Sequence, residues 1–288
     1  MIALHISVDT GSLWTSWSLD PVALVAIPLI AFLYYRGLAS LGNRRRFHST
    51  WRPWSFYLGL LMLAGALLSP LDHLSDELFY AHMTQHMLIM MAGAPLILLG
   101  APIIPVLRGI PRSIRRSVVI PVLQSLPVRF VLRTLSRPLV AWPLYVLVLW
   151  VWHLPVLFVG ALENELLHVL EHFTFAFTAY LFWWNIIDPH PLRPNLSYLA
   201  RVPYIFITVV PAFALGAFLT FSSDPWFSPY AITAPLYGIS ALEDQQVGGT
   251  IMWIPGSFII GTALILDLYL AARQEQRAQL AQERGEQG

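Results

Sequence analysis

The sequence predicts an all-α, polytopic membrane protein: a bundle of seven transmembrane helices with the N-terminus outside and the C-terminus inside. The prediction depends on composition, on seven apolar stretches and on the placement of the arginines. Hydrophobic residues make up 57% of the 288 residues and charged residues only 11%, and the mean hydropathy is +0.62. Soluble domains carry about 25% charged residues. So low a charge argues against a disordered chain, a nucleic-acid-binding protein and a soluble enzyme with one membrane anchor.

Seven apolar stretches are candidates for membrane spans. A hydrocarbon core of about 30 Å requires roughly 20 mostly apolar helical residues. In chain order the stretches are 21–38, 54–69, 78–100, 138–159, 165–187, 202–222 and 249–272. The second stretch is short and the third contains two histidines, so hydropathy alone supports these two least.

The arginines set the predicted orientation. All 17 basic residues are Arg, and in the seven-span order every one lies on the same side, in segments 36–52, 108–137, 193–201 and from 273 onward. Acidic residues such as Asp72, Glu163 and Asp224 lie on the opposite side. Because basic residues concentrate in cytoplasmic loops, the arginine side is predicted to be cytoplasmic.

The spans are predicted to form a single transmembrane domain over residues 1–272, followed by a polar cytoplasmic tail over 273–288. The connector 101–137 combines several arginines with Pro and aliphatic residues, which indicates an amphipathic segment held by anionic headgroups. A docking surface for a partner is the alternative. The first apolar stretch has no basic segment before it and no small-residue cleavage site after it, so it is predicted to be retained as a span.

Five histidines lie inside the predicted spans, where ionisable residues are costly and mark functional sites. The third span contains His82 and His86, the fifth contains His168 and His172, and the fourth contains His153. Residues four apart share one face of a helix. In the predicted topology all five imidazoles lie at one depth, just beneath the outer surface. We therefore predict a metal site there, with an interhelical hydrogen-bond network or a proton path as alternatives.

The donor types favour copper. The chain contains no Cys, which excludes thiolate metal sites, disulfides and covalently attached haem. Imidazole suits copper, zinc, iron and nickel, whereas thioether sulfur selects Cu(I). Met90 follows His86 by one helical turn in a Met-rich span. Such methionines can also be packing material, and a lone buried histidine such as His153 can be a hydrogen-bonded core residue. The predicted metal residues are His82, His86, His153, His168, His172, Met90 and Asp244.

Two other cofactors remain open at this point. His168-x-x-Glu171-His172 matches the H-x-x-E-H string of inverted zinc peptidases, in which the Glu activates a zinc-bound water. This match suggests an intramembrane zinc enzyme. A b-type haem between the third and fifth spans, ligated by one histidine from each, would leave two histidines unexplained.

Asp244 precedes the seventh span and allows two interpretations. It can cap the N-terminus of that helix, or it can be an outer ligand or an acceptor that orients an imidazole. Gly248 and Gly249 follow it and would let this span approach its neighbours closely.

Together these segments resemble the CtaG-type cytochrome c oxidase assembly factors of bacteria. The resemblance lies in His82–Pro102, in Trp152-His153-x-Pro155, in His168-x-x-Glu171-His172 and in Asp244-Gln245-Gln246-x-Gly248-Gly249-x-x-Met252-Trp253-x-Pro255-Gly256. It implies a multi-pass protein of the bacterial plasma membrane that is required to mature a haem–copper oxidase. We expect no catalysed reaction and, from the composition, no nucleic-acid partner. Its implied role is to help copper reach a haem–copper oxidase subunit.

Overall fold

The computed structural model describes residues 16–42, 48–187 and 196–286, and within these ranges every regular element is a helix. The all-α prediction is confirmed. His5, His190 and most of the predicted outer segment 1–20 lie outside the described residues. The helices are α1 (Pro21–Ser40), α2 (Trp51–Leu67), α3 (Pro70–Glu77), α4 (Phe79–Leu99), α5 (Ile103–Gly109), α6 (Arg112–Gln124), α7 (Leu126–Leu135), α8 (Pro138–Trp152), α9 (Pro155–Glu163), α10 (Glu165–Trp184), α11 (Tyr198–Thr220), α12 (Tyr230–Thr233) and α13 (Ala241–Glu286).

Several of these helices can cross a membrane by length and composition. Helices α1, α4, α11 and α13 qualify individually. The bent pairs α2–α3 (46°), α6–α7 (64°) and α8–α9 (73°) raise the number to as many as seven if each pair is one span. This set differs from the predicted one: α10 is not in it, and α6–α7 lies in the predicted interfacial connector. The protein is a membrane protein, while the seven-span count and the orientation stay predictions.

Large apolar side chains on the outer surface of the bundle support a lipid environment. Leu139 is 89% exposed, Val156 84% and Phe206 64%. Such exposure would carry a large free-energy cost in water, because transferring apolar surface out of water is favourable. In a bilayer the same side chains contact acyl chains.

Helix α4 occupies a central position in the bundle. It packs against α2, α3, α10 and α13. Its side chains Phe79 and Met83 belong to the main apolar core, together with Phe175 and Phe182 of α10. A smaller core joins α1 to α2 elsewhere in the bundle. Most residues on α4, including Phe79 and Met83, are therefore enclosed by other helices.

The break between α8 and α9 follows from Pro155. A proline disfavours helical backbone in the residue before it, and Leu154 is extended, with φ −67° and ψ 128°. Helix α8 therefore ends at Trp152, and His153 is its C-terminal capping residue.

Two glycines allow α13 to approach its neighbours, as the sequence predicted. A Cβ atom on Gly248 would lie 2.4 Å from the ring of Phe79 on α4. A Cβ atom on Gly249 would lie 2.7 Å from the backbone nitrogen of Thr220 on α11. Both distances are too short for a side chain, so these crossings require glycine.

An ion pair ties α11 to α13. The Arg201 guanidinium lies 3.1 Å from a carboxylate oxygen of Asp267, and each residue is only 3% exposed. Arg201 also donates a hydrogen bond to the carbonyl of Ile186. Arg201 belongs to a segment predicted to face the cytoplasm. Its side chain is nevertheless buried, and Asp267 compensates its charge.

Candidate metal centre

The first turns of α4 place two histidines against the interior of the bundle. His82 is fully buried and His86 is 4% exposed. Their ring centroids lie 4.3 Å apart, as the i, i+4 spacing predicts. Both rings therefore face the same region of the core.

Helix α10 presents its acidic and imidazole groups to the same region. Its N-terminus is capped by the Asn164 side chain, which accepts hydrogen bonds from the backbone N–H groups of Leu166 and Leu167. Glu171 is fully buried, and the rings of His168 and His172 lie 4.3 Å apart. The H-x-x-E-H spacing thus puts all three side chains on one face of α10.

The two helices bring four residues together, and we call this group the histidine–glutamate cluster. One ligand atom from each of His82, His86, Glu171 and His172 lies within 4.8 Å of all the others. The Nε2 atoms of His82 and His86 lie 3.7 and 3.8 Å from the two carboxylate oxygens of Glu171. A tetrahedral ion with bonds of about 2.0–2.1 Å holds its donor atoms about 3.3–3.4 Å apart. The separations of 3.7 and 3.8 Å between the imidazoles and the carboxylate are a few tenths of an ångström wider than that spacing.

The donor atoms of the cluster have no hydrogen-bond partners. Nε2 of His82, His86 and His172 and both carboxylate oxygens of Glu171 are buried without a partner in the part of the chain that the structure describes. Most buried polar groups in native proteins are paired, and a buried ionised carboxylate is costly without a compensating positive charge. A single bound cation would satisfy these atoms together.

Hydrogen bonds on the far side of His82 fix its tautomer. Its Nδ1 atom lies 3.4 Å from the carbonyl oxygen of Ser75 and 3.3 Å from the hydroxyl of Tyr230. The Tyr230 hydroxyl donates to the same carbonyl at 2.8 Å. Because a carbonyl oxygen only accepts, Nδ1 carries the proton and Nε2 keeps its lone pair. Such outer hydrogen bonds orient the imidazole ligands of metal sites.

The N-terminus of α4, the helix that carries His82 and His86, is capped by a side chain of another helix. The carboxylate of Asp244 on α13 accepts hydrogen bonds from the backbone N–H groups of Phe79 and Tyr80, at 2.8 and 2.9 Å. Asp244 lies inside the first turn of α13 and caps α4 instead of its own helix. It is not one of the four clustered residues, so the structure supports a positioning role for it.

The other predicted residues lie beside the cluster. The His168 ring is 5.7 Å from that of His82, and its Nε2 atom is buried without a partner among the described residues. His153 and Met90 are 3% and 4% exposed, and both line a small cavity that His86 also lines. Their role as metal ligands stays a prediction.

Two residues of the site were not among the predicted ligands. Glu171 was noted only as part of the zinc-peptidase string, yet its carboxylate joins the cluster. The H-x-x-E-H spacing itself was the available signal, since a residue three after His168 shares its face. Tyr230 lies in a short helix far along the chain, and no pattern in the sequence connects it with His82.

A π-helical turn follows the two histidines on α4. It covers Leu88–Gly93, and the carbonyl oxygen of Met90 accepts a hydrogen bond of 2.9 Å from the indole of Trp183 on α10. π turns are rare and occur often at functional sites. This turn places Met90 and Met91 next to the histidines.

Known proteins resemble this chain over most of its length. It is 27% identical over 280 residues to uncharacterized protein Mb0105 of Mycobacterium bovis, and 26% identical over 287 residues to uncharacterized protein ML1998 of Mycobacterium leprae. Each alignment covers 94% of this chain but only 41% and 42% of the relative, so the chain spans about two-fifths of their length. No solved structure matches it. The model of the cytochrome c oxidase caa3 assembly factor family (Caa3_CtaG) matches residues 32–274, and the chain therefore belongs to this family of cytochrome c oxidase assembly factors.

Proposed function

We propose that this family member binds copper in the bacterial plasma membrane and supplies it to a haem–copper oxidase during assembly, without catalysing a reaction. The observation that carries the proposal is the buried histidine–glutamate cluster with its unpartnered donor atoms. Under the predicted orientation the cluster lies in the outer leaflet, where an oxidase subunit in the same membrane can be reached.

The donor set suits copper that must later be released. The imidazoles of His82, His86 and His172 are nitrogen donors that copper accepts readily. Glu171 supplies one negative charge within the cluster. His168 is partly buried at the edge of the cluster, and its Nε2 atom has no hydrogen-bond partner among the described residues. His168 can therefore replace one buried ligand of the ion at a time. The ion then leaves stepwise, and the buried ligands are never all exposed together.

A zinc enzyme is a second candidate, because Glu171 lies inside the cluster. Three imidazoles and a carboxylate also suit Zn²⁺, and a catalytic zinc site keeps one position open for water. In that case the Glu171 carboxylate would accept a proton from the bound water, as a general base, instead of ligating the ion. The two candidates predict different metals in the purified protein.

Metal analysis of the purified full chain tests the proposal. Wild type, loaded with copper in detergent, is compared with His82→Ala/His172→Ala, which removes two cluster imidazoles but leaves His86 in place. His73→Ala is the matched control, since His73 is exposed and pairs with Glu77 at 3.5 Å on α3. We expect the double variant to bind one copper ion fewer than wild type and the control to bind as much as wild type.

Three results would contradict the copper proposal. Equal copper in wild type and the double variant would remove the cluster from the site. Zinc retained through purification, together with hydrolytic activity lost in Glu171→Gln, would establish the enzyme instead. A haem absorption band in the purified protein would establish the cytochrome that the sequence left open.

A further inference from the structure

Most methionines of the chain surround a single cavity. Of the seven methionines, five line a cavity of about 40 Å³ beside the histidine–glutamate cluster. They are Met83, Met87, Met90 and Met91 of α4 and Met252 of α13. The cavity exceeds the roughly 10–15 Å³ that one water molecule needs. Methionine usually fills irregular gaps in a core, yet here it leaves one open.

His153 supplies a nitrogen donor to this cavity. Its Nδ1 atom lies 2.6 Å from the carbonyl oxygen of Leu149, which can only accept, so Nδ1 carries the proton. The lone pair is therefore on Nε2. That atom is buried, and no described residue hydrogen-bonds to it. The side chain is 3% exposed and lines the cavity. The ring thus presents an unused donor to the surrounding thioethers.

The cavity adjoins the cluster and shares one residue, His86, with it. His153 is not one of the four clustered residues. The Phe175 ring lies near both groups, 4.5 Å from the ring of His86 and 6.2 Å from that of His153. His86 lines the cavity while also belonging to the cluster, so it connects the two.

The chemistry of the lining selects a soft, monovalent ion. Thioether sulfur is only a weak hydrogen-bond acceptor, so the methionine side of the lining binds water poorly. No Asp or Glu is among the described lining residues, which disfavours a divalent ion whose charge would be uncompensated. Thioethers with one imidazole suit Cu(I).

We propose that this cavity is a second metal site, which binds Cu(I) through Nε2 of His153 and the methionine thioethers. The proposal rests on the copper-handling function above and deepens it. The histidine–glutamate cluster offers nitrogen and carboxylate donors, while the cavity offers sulfur, and His86 allows an ion to pass between them. The protein would then hold reduced copper apart from the site that exchanges it.

X-ray absorption at the copper edge, with a count of bound metal, tests this second site. The purified full chain is loaded with Cu(I) under anaerobic conditions. We expect two copper ions per chain in wild type and a sulfur shell in the absorption spectrum. Met87→Leu/Met90→Leu/Met91→Leu should bind one and lose most of the sulfur scattering. Leucine nearly conserves the volume of methionine, so these variants should keep the fold.

Controls separate this proposal from the first one. Met62→Leu changes a methionine of α2 that does not line the cavity and should bind as wild type does. His82→Ala/His172→Ala should keep one copper ion with its sulfur shell, whereas unchanged binding in that variant would refute only the cluster. Copper in wild type without sulfur scattering would overturn the second site, and this measurement needs no variant. An unchanged copper count and sulfur shell in the triple Met variant would overturn it as well.

Discussion

Asp244→Asn tests whether α13 holds the N-terminus of α4 in place. The Asp244 carboxylate uses both oxygens, one for the N–H of Phe79 and one for that of Tyr80. Asparagine keeps one oxygen and turns an NH₂ group toward the other N–H donor. One hydrogen bond to a charged group is lost, worth about 1.5–3 kcal/mol. We expect the free energy of unfolding to fall by about that amount.

The assay is denaturant unfolding of the purified protein in detergent, followed by copper titration of the folded variant. Glu275→Gln is the control, since Glu275 is exposed on the same helix and lies far from its first turn. It should change the free energy of unfolding by less than about 0.5 kcal/mol. Because the cap fixes the first turn of α4, Asp244→Asn should also weaken copper binding. If the two variants unfold alike and bind copper equally well, the cap does not position the site.

Three further variants test other features of the structure. Glu171→Gln removes the carboxylate of the cluster and should weaken metal affinity, measured by titration, by about tenfold or more. Arg201→Met removes the ion pair of 3.1 Å with the buried Asp267 carboxylate and should lower the free energy of unfolding by about 3–5 kcal/mol, and adding Asp267→Leu should recover most of the loss. Gly249→Leu should destabilise the α11–α13 crossing by about 1–3 kcal/mol, while Gly256→Ala, whose new Cβ would lie 3.5 Å from its nearest neighbour, should unfold as wild type does. The packing described above would be contradicted by equal free energies of unfolding for Arg201→Met and its double variant, or for Gly249→Leu and Gly256→Ala.

The helical fold and the central part of the site could be predicted from the sequence. Low charge and long apolar stretches require a membrane helix bundle, since only helices and closed barrels satisfy the backbone in lipid. Two i, i+4 histidine pairs predicted that two helices converge, and His82, His86 and His172 do meet. Local spacing was sufficient here because the residues of each pair lie on a single helix.

What could not be predicted depends on contacts between distant segments. The capping of α4 by Asp244 joins residues 165 positions apart, and no local pattern encodes it. His153 was grouped with the other histidines by depth alone. The break at Pro155 makes His153 the C-terminal capping residue of α8, and it lines the methionine cavity instead of joining the cluster. Depth along a span does not fix the direction in which a side chain points.

The π turn at Leu88–Gly93 has a consequence for comparing relatives. A π turn contains one residue more than the α-helical turn it replaces, with hydrogen bonds from i to i+5. A homologue that is one residue shorter here would have a regular helical turn, with the helix on either side keeping its orientation and only the residues of the turn repositioned. Insertions and deletions of a single residue within this span should therefore fall at these positions. Such gaps would distinguish family members that keep the methionine cavity from members that have lost it.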